Sequence, residues 1–99
     1  MLAFRMFDLS QPLPFSQGHA IRAIAKQHRG KVIAAGECTN THEPGTLLYV
    51  KLQAANTAEF VALDDGTQLI PKHIRIEGRD WHTHDGNQFQ PDPNLQIVV

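Results

Sequence analysis

The chain has 99 residues, of which 41% are hydrophobic and 19% are charged, and its formal net charge is −1 with the histidines neutral. This composition is typical of a folded globular domain and excludes a disordered chain. This net charge excludes a strongly basic protein that binds nucleic acid through its overall charge, but it is compatible with a local basic face. We therefore predict one globular domain over residues 1–99.

Cysteine content and the N-terminal segment indicate the compartment. Cys38 is the only cysteine, so no internal disulfide forms and the fold does not depend on oxidising conditions. Arg5 and Asp8 interrupt the apolar start, which therefore lacks the unbroken core of a signal peptide. No stretch approaches the roughly 18 consecutive apolar residues of a membrane span. These features predict a cytoplasmic protein that does not enter a membrane.

The first third of the chain predicts a strand followed by a helix. Residues 2–9 are rich in large apolar side chains, and the prolines of "SQPLPF" end the strand that they form. Ser16 is the predicted N-cap of an alanine-rich helix over roughly residues 17–29, and Gly30 is its predicted stop. The predicted apolar side of this helix consists of Ile21, Ile24, Ala25 and His28, with His28 partly buried.

The rest of the chain predicts strands and turns. The predicted strands cover residues 31–38, 47–53, 58–64, 73–77 and the final "LQIVV". Asp65-Gly66 predicts a hairpin between "AEFVAL" and "TQLI", Pro71 and Lys72 predict a break, and residues 78–94 predict a loop. Gly36 predicts a bulge or a close contact. The alternation in "HIRIE" predicts a strand with one side in water.

These elements predict the α+β class, with a small, mostly antiparallel sheet or barrel and one amphipathic helix near the N-terminus. The order of hairpin, proline-marked break and short strand in "VALDDGTQLIPKHIRIEG" resembles the closing section of small SH3-like or Sm-like β-barrels. This resemblance implies a barrel shape and carries no site residues.

The segment "WHTHDG" is a candidate metal site. His82 and His84 project to the same side of an extended chain, and Asp85 could add an oxygen ligand or orient one ring. Cys38 and His42 could complete a Cys-His-His-His set of the kind that zinc accepts. The alternative is that the thiol is a small buried apolar group and that the histidines lie in loops.

Four cations form the second candidate site. Arg22, Lys26 and Arg29 are aligned by helical spacings of four and three, and Lys31 continues the series. Such a face could contact phosphates or an acidic protein, although any amphipathic surface helix also exposes a charged side. Trp81, which opens the polar loop, could stack on a partner or cap the open end of a barrel.

We predict a non-enzymatic binding or regulatory module that contacts a protein or a nucleic acid through the basic face or Trp81. Catalysis lacks support, because Cys38 and His42 have no recognisable oxyanion hole or third orienting group, and no catalytic residue is predicted. No cofactor is predicted; the first alternative is a zinc-binding protein or small metal-dependent enzyme. The second alternative is a structural subunit that forms a homo-oligomer through the edge of "LQIVV".

Overall fold

The computed structural model describes residues 1–99 and confirms the α+β class, with one helix and eight strands. In chain order the elements are β1 (Leu2–Met6), α1 (Phe15–Gln27), β2 (Lys31–Cys38), β3 (Thr46–Gln53), β4 (Thr57–Asp64), β5 (Leu69–Ile76), β6 (His82–His84), β7 (Phe89–Pro91) and β8 (Ile97–Val98). The helix lacks the length and apolar character that crossing a membrane requires.

All eight strands belong to one curled sheet that forms a half-barrel, in the order β7-β6-β5-β4-β3-β2-β1-β8. Neighbouring strands are antiparallel except β1 and β8, which are parallel. The predicted small, mostly antiparallel sheet is therefore confirmed. The final strand is shorter than predicted, and it pairs with the first one.

The helix starts two residues earlier than predicted. Gly18 N–H donates to the carbonyl oxygen of Pro14 at 2.7 Å, and Pro14 occupies the N-cap position. The hydroxyl of Ser16 donates instead to the side-chain oxygen of Gln17, so the prediction of Ser16 as the cap is wrong. Proline suits this position because its fixed φ is compatible with a helix start and its missing N–H has no helical partner there.

The sheet buries apolar side chains on both faces. The face that we call the helix face packs under α1, where Ile21 and Ile24 are 1% and 5% exposed, as predicted. This cluster also contains Ala35, Val50, Leu52 and Ala62. The opposite face carries Phe4, Leu47, Tyr49, Val61, Leu63 and Trp81. Because α1 packs mainly on β2 and β3, it covers the helix face of β5, β6 and β7 much less.

Gly36 lies where β2 packs closely against β1. A Cβ atom at this position would stand 2.6 Å from the carbonyl oxygen of Arg5 and 2.9 Å from the sulfur of Met6. The predicted close contact is therefore confirmed, whereas the irregularity in β2 lies between Val32 and Ala34.

Strand β5 continues through Pro71 and Lys72, which were predicted to interrupt it. The register with β4 shifts between Val61 and Ala62, so Pro71 lies opposite Ala62 and His73 lies opposite Val61. A bulge of this kind accommodates proline in a sheet, because one residue of the strand leaves the ladder of hydrogen bonds.

A second hairpin, β6–β7, lies within the predicted loop. Its turn begins with Asp85, whose carboxylate accepts hydrogen bonds from the N–H groups of Asn87 and Gln88, both at 2.9 Å. Asp65 does the same for Thr67 and Gln68 in the β4–β5 hairpin, which was predicted correctly. The two turns therefore share one chemistry.

Candidate functional site

The predicted basic face lies at the C-terminal half of α1 and in the turn that follows it. Arg22 and Lys26 project from the helix, Arg29 lies beyond its end, and Lys31 is the first residue of β2. All four side chains are exposed. We call residues 22–31 the basic segment. The predicted helical alignment is correct for the first two cations and wrong for Arg29, because the helix ends at Gln27.

The cations of the basic segment have no ionic partners. The four salt bridges of the protein use Arg5, Lys72, Arg75 and Arg79, which leaves five of the nine Lys and Arg side chains without a carboxylate within 4.0 Å. Four of these five are Arg22, Lys26, Arg29 and Lys31. Residues 9–36 contain no Asp or Glu, so this stretch carries +4 and the remaining chain −5, which together give −1. The molecule is therefore charge-segregated.

Arg29 adopts a conformation that glycine usually occupies. Its φ is 52°, and the surrounding bonds run from Gly30 N–H to the carbonyl of Ala25 at 3.0 Å and from Arg29 N–H to that of Lys26 at 3.3 Å. This is the Schellman pattern of a helix end, in which the left-handed residue is normally Gly. The predicted stop at Gly30 is thus one residue late. An arginine here costs on the order of 1 kcal/mol relative to glycine.

A groove opens at the same end of the helix, over the less covered part of the helix face. The ring of His28 stacks on Phe60, with centroids 4.2 Å apart and 22° between the planes. The groove has a volume of about 240 Å³, and its lining includes Ile24, Gln27, His28, Phe60, Ile74 and Phe89. No Lys, Arg, Asp or Glu lines it. His28 is exposed overall, but Phe60 covers one face of its ring and burial lowers its pKa, so the predicted partial burial holds for that face alone.

His82 and His84 lie beside this groove in an extended strand, as their spacing predicts. His82 is in register with Ile74, and the ring of His84 meets Phe89 edge-on at 5.0 Å. Both rings are half-buried and share the helix face. His84 therefore contacts Phe89, which lines the groove, but neither imidazole lines the groove itself.

Hydrogen bonds give the two imidazoles opposite tautomers. Gly86 N–H donates to Nδ1 of His84 at 3.1 Å, so the proton of the neutral ring lies on Nε2. Nδ1 of His82 lies 3.0 Å from the carbonyl oxygen of Asp80, which can only accept, so that proton lies on Nδ1. Metal binding requires an unprotonated nitrogen from each ligand. With these hydrogen bonds, only Nε2 of His82 has a free lone pair for a metal ion, whereas two ligands would need one each.

The other predicted metal ligands are not brought to this pair. Cys38 ends β2, which three strands separate from β6, and its Sγ lies 3.2 Å from Oδ1 of Asn40. His42 lies exposed in the loop after β2. No three His, Cys, Asp or Glu side chains are grouped so that they could hold a metal ion. Zinc binding stays a prediction, and the structure does not bring its four proposed ligands together.

Trp81 is a core residue. Only 8% of it is exposed, and the guanidinium of Arg75 lies 4.9 Å from its ring centroid. The prediction that its indole reaches a partner is therefore corrected, because a partner cannot stack on a buried ring.

A buried polar network under Trp81 is absent from the sequence predictions. Glu59 is 5% exposed; its carboxylate accepts from the Tyr49 hydroxyl at 2.5 Å and from Arg75 Nε and Nη2 at 2.7 and 2.9 Å. Burial would raise the pKa of Glu59, but the hydrogen bonds from Arg75 and Tyr49 and the nearby positive charges lower it overall. The prediction that one side of "HIRIE" faces water is thus corrected, because Arg75 on that side faces this network. The sequence did contain one sign of this network: Glu59 lies two residues before Val61, so in a strand it shares the face of that buried residue.

A second polar chain joins His73, Thr83 and Asp92. The hydroxyl of Thr83 donates to the carboxylate of Asp92 at 2.6 Å, and it lies 2.9 Å from Nδ1 of His73. The hydroxyl proton is used on Asp92, so Nδ1 of His73 must donate to the hydroxyl oxygen. Burial lowers the pKa of His73, and the charge of Asp92 offsets only part of that effect.

The pH dependence of stability should report this lowered pKa. Because the unfolded state binds the proton more readily, the free energy of unfolding should fall as pH drops below the ordinary histidine value of 6.5, and level off below the folded-state pKa. We expect His73→Gln, which can still donate to Thr83, to flatten the denaturant-unfolding profile in that window. An unchanged slope would contradict the assignment. The pKa of Glu59 is lowered from its ordinary value of 4.5 and lies outside this window, whereas His28, whose pKa burial also lowers, contributes equally in the parent and the variant.

The predicted edge of association is at the end of the sheet. Strand β8 pairs only with β1, and Val98 and Val99 are 49% and 58% exposed. Only Ile97 and Val98 form the strand, so its free edge offers few backbone groups to another chain. Association through this edge stays a prediction.

No protein-family model, curated protein or solved structure matches the chain.

Proposed function

We propose that this protein is a non-enzymatic, cytoplasmic binding module that contacts an acidic macromolecule through the basic segment. The observation that carries the proposal is the set of four exposed cations without ionic partners, in a stretch that contains no acid. A helix exposed only for solubility usually carries charges of both signs. Segregated cations favour a partner that supplies the missing negative charge.

The local structure supports a rigid contact surface. Two cations project from a helix that is anchored through Ile21 and Ile24, and Lys31 lies on a strand paired to β3. Side chains held on regular elements lose less conformational entropy on binding than side chains on a flexible loop. Arginine also forms paired hydrogen bonds with phosphate or carboxylate groups. The likeness of residues 61–78 to SH3-like or Sm-like barrels belongs to this proposal as a likeness of shape alone.

The triple change Arg22→Ala, Lys26→Ala and Arg29→Ala tests the proposal with inorganic polyphosphate as the probe. Each lost phosphate contact should weaken binding and lower the slope of log K against log salt by about 0.7–0.9, so the slope should fall by roughly 2–3. The measurement is affinity by titration calorimetry at several salt concentrations.

A control of equal charge separates a site from overall electrostatics. Changing Arg5, Lys72 and Arg79 to Ala removes three cations that are already paired with Glu37, Glu43 and Glu77. The net charge falls by the same amount, but binding should change far less. Equal losses in the two triple variants would reject the basic segment as the site.

Arg29→Gly offers a sharper single test, because it should separate stability from binding. Glycine occupies the left-handed conformation without strain, so the free energy of unfolding should rise by about 0.5–1 kcal/mol. Polyphosphate binding should weaken nevertheless, since one cation is lost. Arg29→Ala should weaken binding equally without the gain in stability. A variant that is more stable and binds as well as the parent would show that Arg29 is not part of the site.

A further inference from the structure

The groove at the end of α1 is sized and lined for one flat ring. Its volume of about 240 Å³ is below the range of roughly 300–1,000 Å³ that holds most small-molecule ligands. Phe60, Ile74 and Phe89 provide apolar surface, while Gln27 and His28 add polar side chains to the lining. A ring that is apolar on its faces and polar at its edge fits such a lining.

Aromatic groups supply the stacking surface. His28 is exposed and stacks with one face on Phe60, which leaves its other face as a platform. Phe89 is held by the edge contact with His84. Base stacking on aromatic side chains is the interaction by which proteins bind unpaired nucleotides without sequence preference.

The groove adjoins the basic segment. His28 lines the groove, and Arg29 is the next residue, held in its left-handed turn by the bond from Gly30 to Ala25. Arg22 and Lys26 lie further from the groove, on the exposed outer side of the helix, and extend the positively charged surface in that direction. A base in the groove would therefore place its own phosphate near Arg29 and the neighbouring phosphates along the helix. An acidic protein segment would match the cations but brings no ring for the groove.

We propose that the acidic partner is a single-stranded nucleic acid, one base of which leaves the strand's own stack and enters the groove beside His28. The inference rests on the proposed function, because it uses the basic segment for the phosphates. Bases in a duplex are already stacked and paired, so a single strand is the form that can fill the groove.

Affinity for three labelled probes tests the inference at pH 8, which lies above the ordinary histidine value of 6.5, while burial lowers the pKa of His28 further. The probes are a ten-nucleotide single strand, a sugar–phosphate chain of the same length without bases, and the corresponding duplex. Stacking of one base should make the single strand bind at least about fivefold more tightly than the base-free chain. It should also bind more tightly than the duplex.

Matched histidine variants assign that preference to the groove. His28→Ala should reduce the preference for the single strand over the base-free chain to less than about twofold, without changing affinity for the latter. His19→Ala, on the same helix but outside the groove, should leave both affinities unchanged. The ring protons of His28 should shift in NMR spectra with the single strand and not with the base-free chain, a readout that does not depend on stability.

The other outcomes are distinguishable. Equal affinity for the single strand and the base-free chain would overturn the base in the groove while leaving the basic segment as a polyanion site. Stronger binding of the duplex, or equally strong binding of polyglutamate, would overturn single-stranded nucleic acid as the partner. Absence of binding to every anionic probe would overturn the proposed function as well.

Discussion

Replacing Glu59 with leucine is expected to lower the free energy of unfolding by about 3 kcal/mol or more. The carboxylate is 5% exposed and accepts three hydrogen bonds, so its loss leaves the guanidinium of Arg75 and the hydroxyl of Tyr49 without their partner. The side chain of Arg75 is 31% exposed, so water can solvate part of its unpaired charge. The loss of stability should therefore stay within the range usual for breaking a buried ion pair. Chemical denaturation measures the difference.

The triple variant Glu59→Leu, Arg75→Met and Tyr49→Phe is the control. It removes all three polar partners together and should recover most of the stability, because no buried polar group is then left unpaired. The single and triple variants should also differ in acid. A lowered carboxyl pKa stabilises the fold above its ordinary value of 4.5, and that contribution is lost as pH falls through the lowered pKa. If the triple variant were as unstable as Glu59→Leu, lost packing rather than unpaired charge would be the cause.

The sequence predicts the helix and the central strands well, because their periodicity is local. The spacing of Ile21 and Ile24 identifies the buried side of α1 before any partner is known. The β6–β7 hairpin was missed although Asp85-Gly86 repeats the pattern of Asp65-Gly66. Strands of three residues show too little alternation to be recognised, and their pairing with β5 stabilises them instead. The continuity of β5 through Pro71 likewise depends on a bulge that only the partner strand reveals.

Candidate sites differ in the same way. The basic segment is visible in the sequence because its four cations lie within ten residues, and the helical period predicts the exposure of Arg22 and Lys26. The groove is not, since His28, Phe60 and Phe89 come from three separate elements. The partnership of Glu59 with Arg75 depends on the β4–β5 register, which the bulge shifts by one residue. Trp81 opens a polar stretch, and only the tertiary structure shows that Arg75 covers it.

Truncating Ile21 to alanine should be the most damaging change on the helix, costing about 2–4 kcal/mol of unfolding free energy. Its side chain is 1% exposed and packs with Ile24, Val50 and Leu52 in the helix-face cluster, so the removed atoms leave a cavity. The helix packs mainly on β2 and β3, so this cluster holds most of the element against the sheet. Equilibrium denaturation by urea gives the difference.

Lys26→Ala is the matched change on the outer side of the same helix. Lys26 is exposed and without an ionic partner, so its truncation should alter stability by less than about 0.5 kcal/mol. Equal small effects at positions 21 and 26 would contradict the packing of α1 on the sheet. A large effect at 21 with none at 26 would instead fix the helix orientation. That orientation exposes the cations of the basic segment, so loss of polyanion binding in Lys26→Ala could then be attributed to charge rather than to unfolding.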